Sequence, residues 1–213
     1  MKIDSDFYIK HILSDGTHVR LRHVCPEDAP KFKRGFEAFS PESRYLRFFS
    51  GLESLSDNML QYLTNVDGYN HVAIVALVES VKGKREYGVG VARFVRIKDE
   101  PNVAEIAVSV IDNMHNKGLG RLLLKTIKEA AIERDIQYFR AEILASNEAV
   151  QHILQDINTK VIQDYRDMII IDIPLGETET GTLLENNQES VSHCLKDIVS
   201  AIVGIVSSSG KET

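Results

Sequence analysis

Two short runs in which apolar and polar residues alternate, Phe7 to Leu13 and His18 to Val24, flank Ser14-Asp15-Gly16-Thr17. Alternation of period two fits a half-buried strand, and Asp15 and Gly16 can supply the positive φ angles of a tight turn, so the chain is expected to open on a β-hairpin. The period then changes. In CPEDAPKFKRGFEAF, Ala29, Phe32, Phe36 and Phe39 recur at helical spacing behind Pro26, a residue suited to a first helical turn. Ser40 before Pro41 reads as the N-cap of a second short helix through SPESRYLRFF, and a third begins near Ser56 and carries Met59, Leu60 and Leu63.

Further along, HVAIVALVE has the pattern of a buried strand, KGKRE of a turn, and GVGVARFVRI of the next strand, which together predict a second hairpin. Residues Asn102 to Ile111 form another strand, and its closing loop, DNMHNKGLG, runs straight into a helix reaching about Arg134. Leu119, Leu122, Leu123, Ile127, Ala130 and Ala131 share one face of that helix, while Arg121, Lys125, Lys128 and Glu133 share the other, so it should pack on a sheet. YFRAEIL is a further strand, and SNEAVQHILQDI an amphipathic helix through Ala149, Val150, Ile153, Leu154 and Ile157. Strands near Lys160 to Gln163 and Met168 to Ile173 close an α/β (α+β) domain spanning residues 1–174. The remainder, 175–213, begins as an acidic linker, GETETGTLLENNQE, and ends as an amphipathic helix through Val191, Cys194, Leu195, Ile198, Ile202, Ile205 and Val206. Such a stripe suits docking on the domain or a homodimer contact; its polar face lacks the Lys and Arg that a membrane surface would attract.

Composition narrows the function. Twenty-five Lys and Arg against thirty-one Asp and Glu leave a net charge of -6, the wrong sign for an unspecific nucleic-acid binder. Cys25 and Cys194 are far apart, with no CxxC and no paired His spacing, so neither a disulfide framework nor a metal site is signalled, and a reducing cytoplasm fits best. The start, MKIDSDFYIK, is charged, and no window approaches the roughly 18 apolar residues of a membrane span, so a soluble cytoplasmic protein is expected.

Gly118 and Gly120, at a junction of strand and helix, carry the most chemical information. Glycines there let backbone N–H groups approach a phosphate at a helix N-terminus. The loop lacks the GK[ST] of a Walker motif, and Leu123 stands where GxGxxG needs its third glycine, which disfavours a nucleoside triphosphate or dinucleotide. By itself the pair leaves open a glycine chosen only for tight strand-helix packing.

In its setting, AVSVIDNMHNKGLGRLLL resembles the acetyl-CoA-binding motif of the GNAT acetyltransferase superfamily. DGTHVRLRHVCPEDAP, SPESRYLRFF, the NVDG stretch, GVGVARF and AEIAVSV follow in the order and wording of bacterial Pat-type protein lysine acetyltransferases, so the resemblance covers nearly all of residues 7–174. It implies a GNAT fold, a central twisted mixed sheet of about seven strands flanked by helices and splayed where a thioester enters. It implies acetyl-CoA as cosubstrate, with backbone groups of Val108, Ser109 and Val110 along the pantetheine arm, amides of Asn116, Lys117, Gly118, Leu119, Gly120 and Arg121 at the pyrophosphate, and Asn147 beside the cofactor arm. His115 takes the position where the family usually has Gln or Arg, QDINTKV replaces the usual ending of the helix after YFRAEIL, and Tyr165 sits too late to be assigned as a general acid.

Glu105 is the candidate catalytic residue. In VAEIAVSV the alternation puts Ala104, Ile106, Val108 and Val110 on one face and Glu105, Ala107 and Ser109 on the other, a carboxylate among small neighbours. Acyl transfer to an amine requires the ammonium to be deprotonated, which a carboxylate in a cleft can do directly or through water. The corresponding Glu of Pat-type enzymes is regarded as this base; the competing reading is a surface Glu paired with Arg93 or Arg140. The expected function is therefore acetyl transfer to a protein lysine ε-amine by direct attack. The alternatives are a small-amine N-acetyltransferase and a non-catalytic acyl-CoA sensor.

Overall fold

The structure, a computed structural model, describes residues 3, 6–41, 52–79, 86–144, 160–165 and 168–176. Strands β1 (Tyr8–Ile12) and β2 (His18–His23) pair antiparallel across the expected turn. Gly16 there has φ +84°, whereas Asp15 does not share the left-handed conformation. Asp15 stabilises the turn through its side chain instead, accepting the Thr17 N–H at 3.0 Å, as aspartate does in Asx turns.

After β2 a 3-10 turn at Pro26–Asp28 leads into α1 (Ala29–Glu37), and Phe39 of the expected helical series falls beyond its end. The junction is fixed by charge. The Asp28 side chain is fully buried and accepts both terminal nitrogens of Arg22 and the Lys31 ammonium, each at 2.7 Å. The Cys25 N–H adds a fourth bond at 3.1 Å. Burial by itself would raise the Asp28 pKa, but these donors outweigh it and hold the carboxyl well below its usual range. Helix α2 (Asp57–Thr64) begins, as its sequence predicts, at Ser56, whose Oγ accepts the Met59 N–H at 3.3 Å.

Strands β3 (His71–Glu79), β4 (Glu86–Ile97) and β5 (Glu100–Val110) continue the antiparallel ladder. Helix α3 (Leu119–Ile132) then crosses over to β6 (Tyr138–Leu144), which runs parallel to β5. Strands β7 (Lys160–Tyr165) and β8 (Met168–Pro174) complete one mixed sheet of eight strands in the order β1-β2-β3-β4-β5-β6-β8-β7, one more than the approximate count from sequence.

Period-two alternation gives this sheet two apolar faces. On one, Leu21, Ile74, Phe94, Val108 and Phe139 pack with Leu123 and Ile127 of α3. Leu123 and Ile127 are wholly buried, and each contributes about 1.5–3 kcal/mol by leaving water. On the other, Val24, Ala73, Val75 and Leu77 meet Phe32 of α1. Among the described residues no helix is long and apolar enough to cross a membrane. The helix anticipated within SPESRYLRFF beyond Pro41, the helix after YFRAEIL, the C-terminal stripe and Asn147 lie outside the described residues.

Candidate active site

Among the described residues the sheet has one parallel pairing, and it is short. β5 and β6 align only through Val103↔Tyr138, Ala104↔Phe139 and Glu105↔Arg140, after which β5 continues to Val110 with no β6 partner. The two strands therefore part beyond Glu105. The Ile111 N–H donates to the Val89 carbonyl at 3.1 Å, so Val89 and Ile111 form a hydrogen-bonded pair of the antiparallel ladder. Main-chain groups alternate sides along a strand. Those of Ala107 and Ser109 therefore face β4, whereas those of Ile106, Val108 and Val110 face the gap. Of the three residues named for the pantetheine arm, Val108 and Val110 offer backbone to the gap and Ser109 offers its side-chain face.

Past β5 the chain makes a 3-10 turn at Asp112–Met114 and enters α3 through two left-handed residues, Asn116 at φ 59° and Gly118 at φ +86°. Gly118 is the N-cap and supplies no side chain to the helix, so the first-turn N–H groups of α3 have no side-chain cap. Four N–H groups without a partner among the described residues, at the positive end of a helix dipole, form an anion-binding arrangement, and it abuts the end of the gap. The residues present thus fit a ligand with a pyrophosphate at one end and an extended amide arm at the other. His115 is turned inward, its Nε2 bonded to the Val110 carbonyl at 2.8 Å. It therefore braces the loop against the strand.

Glu105, Ala107 and Ser109 face away from α3, on the α1 side of the sheet. Glu105 is exposed. Neither proposed ion-pair partner is joined to it. Arg140 is held by Asp172 at 2.8 Å and by Glu100 at 2.9 Å, and those carboxylates, Asp172 foremost, raise its pKa. Arg93 is buried and donates to the Leu63 carbonyl at 3.0 Å and to His71 Nε2 at 3.1 Å. His71 is pushed down to about 4, first by burial and then by the Arg93 charge, which keeps its ring neutral and its Nε2 an acceptor. His71, Val95 and Glu105 lie in one cross-strand row.

Beside this row is an apolar cleft of about 590 Å³, mouth included. Phe32 and Phe36 of α1, with Phe39 just beyond its end, form one wall, Val91, Arg93 and Ser109 the floor, and Leu55 and Leu63 the far side. Helical spacing marks those phenylalanines as one apolar face but does not by itself reveal the cleft. A usable signal was the row of glycines opposite them: the Cβ that a residue other than glycine would carry at position 88 would sit 3.8 Å from the Lys31 Cβ, so α1 lies directly on β4. The loop and helix ends also meet, since the Ser40 N–H donates to Asp112 at 2.9 Å. Among the described residues no three His, Cys, Asp or Glu are grouped as for a metal ion.

Comparison with known proteins gives a consistent picture. The family model described as the acetyltransferase (GNAT) domain matches residues 18–159. The chain is 26% identical over 151 residues to acetyltransferase PA5475 of Pseudomonas aeruginosa, covering 71% of this chain and 79% of that one. It is 25% identical over 182 residues to acetyltransferase Pat of Mycolicibacterium smegmatis, covering 85% of this chain but only 53% of Pat, so the match spans about half of that relative. Among solved structures, the GNAT domain of S. lividans PAT superposes with a TM-score of 0.68 at 25% identity, over 81% of this chain and 99% of that one. At the level of fold alone, yncA of Salmonella typhimurium, solved with its cofactor acetyl-CoA, superposes over 78% of this chain and 99% of that one, with a TM-score of 0.54 at 15% identity.

Proposed function

The chain belongs to the GNAT acetyltransferase family, and from that premise we propose that it uses acetyl-CoA to acetylate a protein lysine ε-amine in the cytoplasm, with Glu105 as general base. The observation that carries this reading is where the β5–β6 ladder stops. The last paired residue is Glu105, and the gap begins immediately after it. A carboxylate at the mouth of the gap, unpaired by Arg93 or Arg140, stands where an incoming amine meets a thioester held along Val108 and Val110. The pyrophosphate belongs on the amides of Asn116 through Arg121. Asn147, carried by the resemblance, completes the set.

In this scheme the lysine ammonium loses a proton to the Glu105 carboxylate, directly or through one water. The free amine attacks the thioester carbonyl, the new N–C bond forms, the nitrogen releases its second proton to solvent, the C–S bond breaks, and the departing thiolate takes a proton from solvent. No acyl-enzyme is needed. Cys25 caps the 3-10 turn that precedes α1, its Sγ 3.4 Å from the Asp28 carboxylate, and burial raises its pKa, which is the opposite of an activated nucleophile. The choice of a protein lysine as acceptor rests on the resemblance to Pat-type protein lysine acetyltransferases, and the similarity to acetyltransferase Pat and to the S. lividans PAT domain is in keeping with it.

The test is calorimetric titration with acetyl-CoA, followed by thiol release in the presence of a lysine-containing protein, for the wild type and Glu105→Gln. The variant should bind acetyl-CoA within about twofold of wild type while turnover falls by roughly 10²–10⁴, the usual contribution of a general base. Unchanged turnover would remove Glu105 from the chemistry, and absence of acetyl-CoA binding by the wild type would remove the reading itself.

A further inference from the structure

We propose that the turn between β1 and β2 is a working part of the acetyl-CoA loop, with Ser14 and Asp15 gripping Lys117 so that the Gly118 N–H is aimed at the cofactor's phosphates. The inference rests on the acetyl-CoA reading above and concerns a segment about a hundred residues away from the loop in sequence.

Three contacts join the two segments. The Ser14 N–H and the Ser14 Oγ both donate to the Lys117 carbonyl, at 3.4 and 3.2 Å. The Lys117 ammonium lies 3.0 Å from the Asp15 carboxylate. Asp15 is itself fixed by the Thr17 N–H, and that bond, followed by Lys117, brings its pKa down to about 2, so it is ionised at every working pH.

Peptide planarity turns this grip into an orientation. In a trans peptide the C=O of one residue and the N–H of the next point in opposite directions, and no peptide here is cis. A carbonyl of Lys117 drawn toward the hairpin therefore sends the Gly118 N–H away from it. No hydrogen bond among the described residues engages that N–H. The peptide is bracketed by two left-handed residues, of which Asn116 at φ 59° has a Cβ and prefers other conformations. A sparsely populated backbone persists only where its surroundings over-determine it, and the hairpin supplies that determination. A loop ordered before its ligand arrives avoids part of the entropy cost of ordering it on binding.

The experiment uses Ser14→Ala, Asp15→Asn and the double variant. Asp15→Asn keeps an oxygen for the Thr17 N–H and removes only the charge opposite Lys117. Acetyl-CoA is compared with S-acetylpantetheine, which carries the thioester arm but no pyrophosphate. Loss of one or two hydrogen bonds should raise the acetyl-CoA Kd about three- to tenfold in the double variant. The ratio of kcat/KM for acetyl-CoA over that for S-acetylpantetheine should fall by a similar factor. A turn with a purely structural role would depress both cosubstrates together and leave the ratio at the wild-type value, which would overturn the proposal. Should the double variant fail to fold, Ser14→Ala and the amide spectrum of ¹⁵N-labelled wild type remain: a Gly118 amide that does not shift when CoA is added also overturns it. Wild-type protein that binds no acetyl-CoA would bring down the underlying reading, whereas wild-type binding with unaltered variants brings down this inference alone.

Discussion

Replacing Asp28 should unfasten α1 from the sheet, and the cost can be worked from its contacts. The carboxylate is fully buried and accepts two bonds from Arg22, one from Lys31 and one from the Cys25 N–H. Asp28→Ala leaves two cations without their counter-charge. Removing one member of a buried pair costs about 3–5 kcal/mol. The side chains of Arg22 and Lys31 are 25% and 18% exposed, so water can reach them and the lower end, about 3 kcal/mol, applies. For a chain of this size each kcal/mol shifts Tm by about 2–4 °C, giving a fall of about 6–12 °C at pH 7. The sign of the pH dependence follows from the lowered pKa. A carboxyl whose folded pKa lies below its unfolded value of about 3.9 contributes its full stability above that value and loses it as pH falls toward the folded one. Urea unfolding of wild type and variant should therefore show a constant difference from about pH 5 to 8 that shrinks below about pH 4. A Tm change under 2 °C, or a difference that grows on acidification, would refute the argument.

Two further outcomes are expected. Gly118→Ala meets no atom within 4 Å but forces a Cβ onto φ +86°, at about 1–2 kcal/mol, so acetyl-CoA affinity should fall roughly tenfold; Gly118→Asn, which tolerates that conformation better, should recover part of the loss in the same titration. The His71 ring should titrate near pH 4 by NMR, and Arg93→Gln should move it up toward 6.5 by removing the neighbouring charge, while burial keeps it from arriving there. Because its folded pKa is depressed, His71 contributes stability above about pH 6.5 that declines as pH falls toward 4.

Local pattern carried most of the fold. Helix α3 is legible because Leu119, Leu123, Ile127 and Ala130 repeat at three and four residues, and the burial of all four follows from that spacing alone. The glycine loop was legible for a related reason: Gly118 is a residue that can cap a helix in the left-handed conformation. Features set by distant pairing were not legible. Asp15 was expected to bend the backbone but bonds Thr17 and Lys117 instead, and its second partner lies 102 positions further along the chain. Arg93 and Arg140 were the obvious partners for Glu105 by strand adjacency. Leu63 with His71, and Asp172 with Glu100, hold them instead, and none of these could be chosen before the topology was known.

Strand β5 shows how one alternation serves two tasks. Ala104, Val108 and Val110 bury their side chains against α3, and the same geometry turns the main-chain groups of Val108 and Val110 toward the β6 side of the sheet. Their side chains secure the strand while their main-chain groups face the gap, where the Val110 carbonyl is already taken by His115 Nε2; in the reading proposed above, a change made for packing at either position would act on acetyl-CoA binding as well. The intervening residues, Ala107 and Ser109, use their backbones on β4 and place their side chains on the α1 face, where Ser109 lines the cleft. Glu105 shares that second register and stands where the parallel pairing stops. Its side chain is exposed on the α1 face of the sheet, where the carboxylate stays in water. Arg140, its neighbour in that pairing, is pinned by Asp172 and Glu100 and makes no ion pair with it.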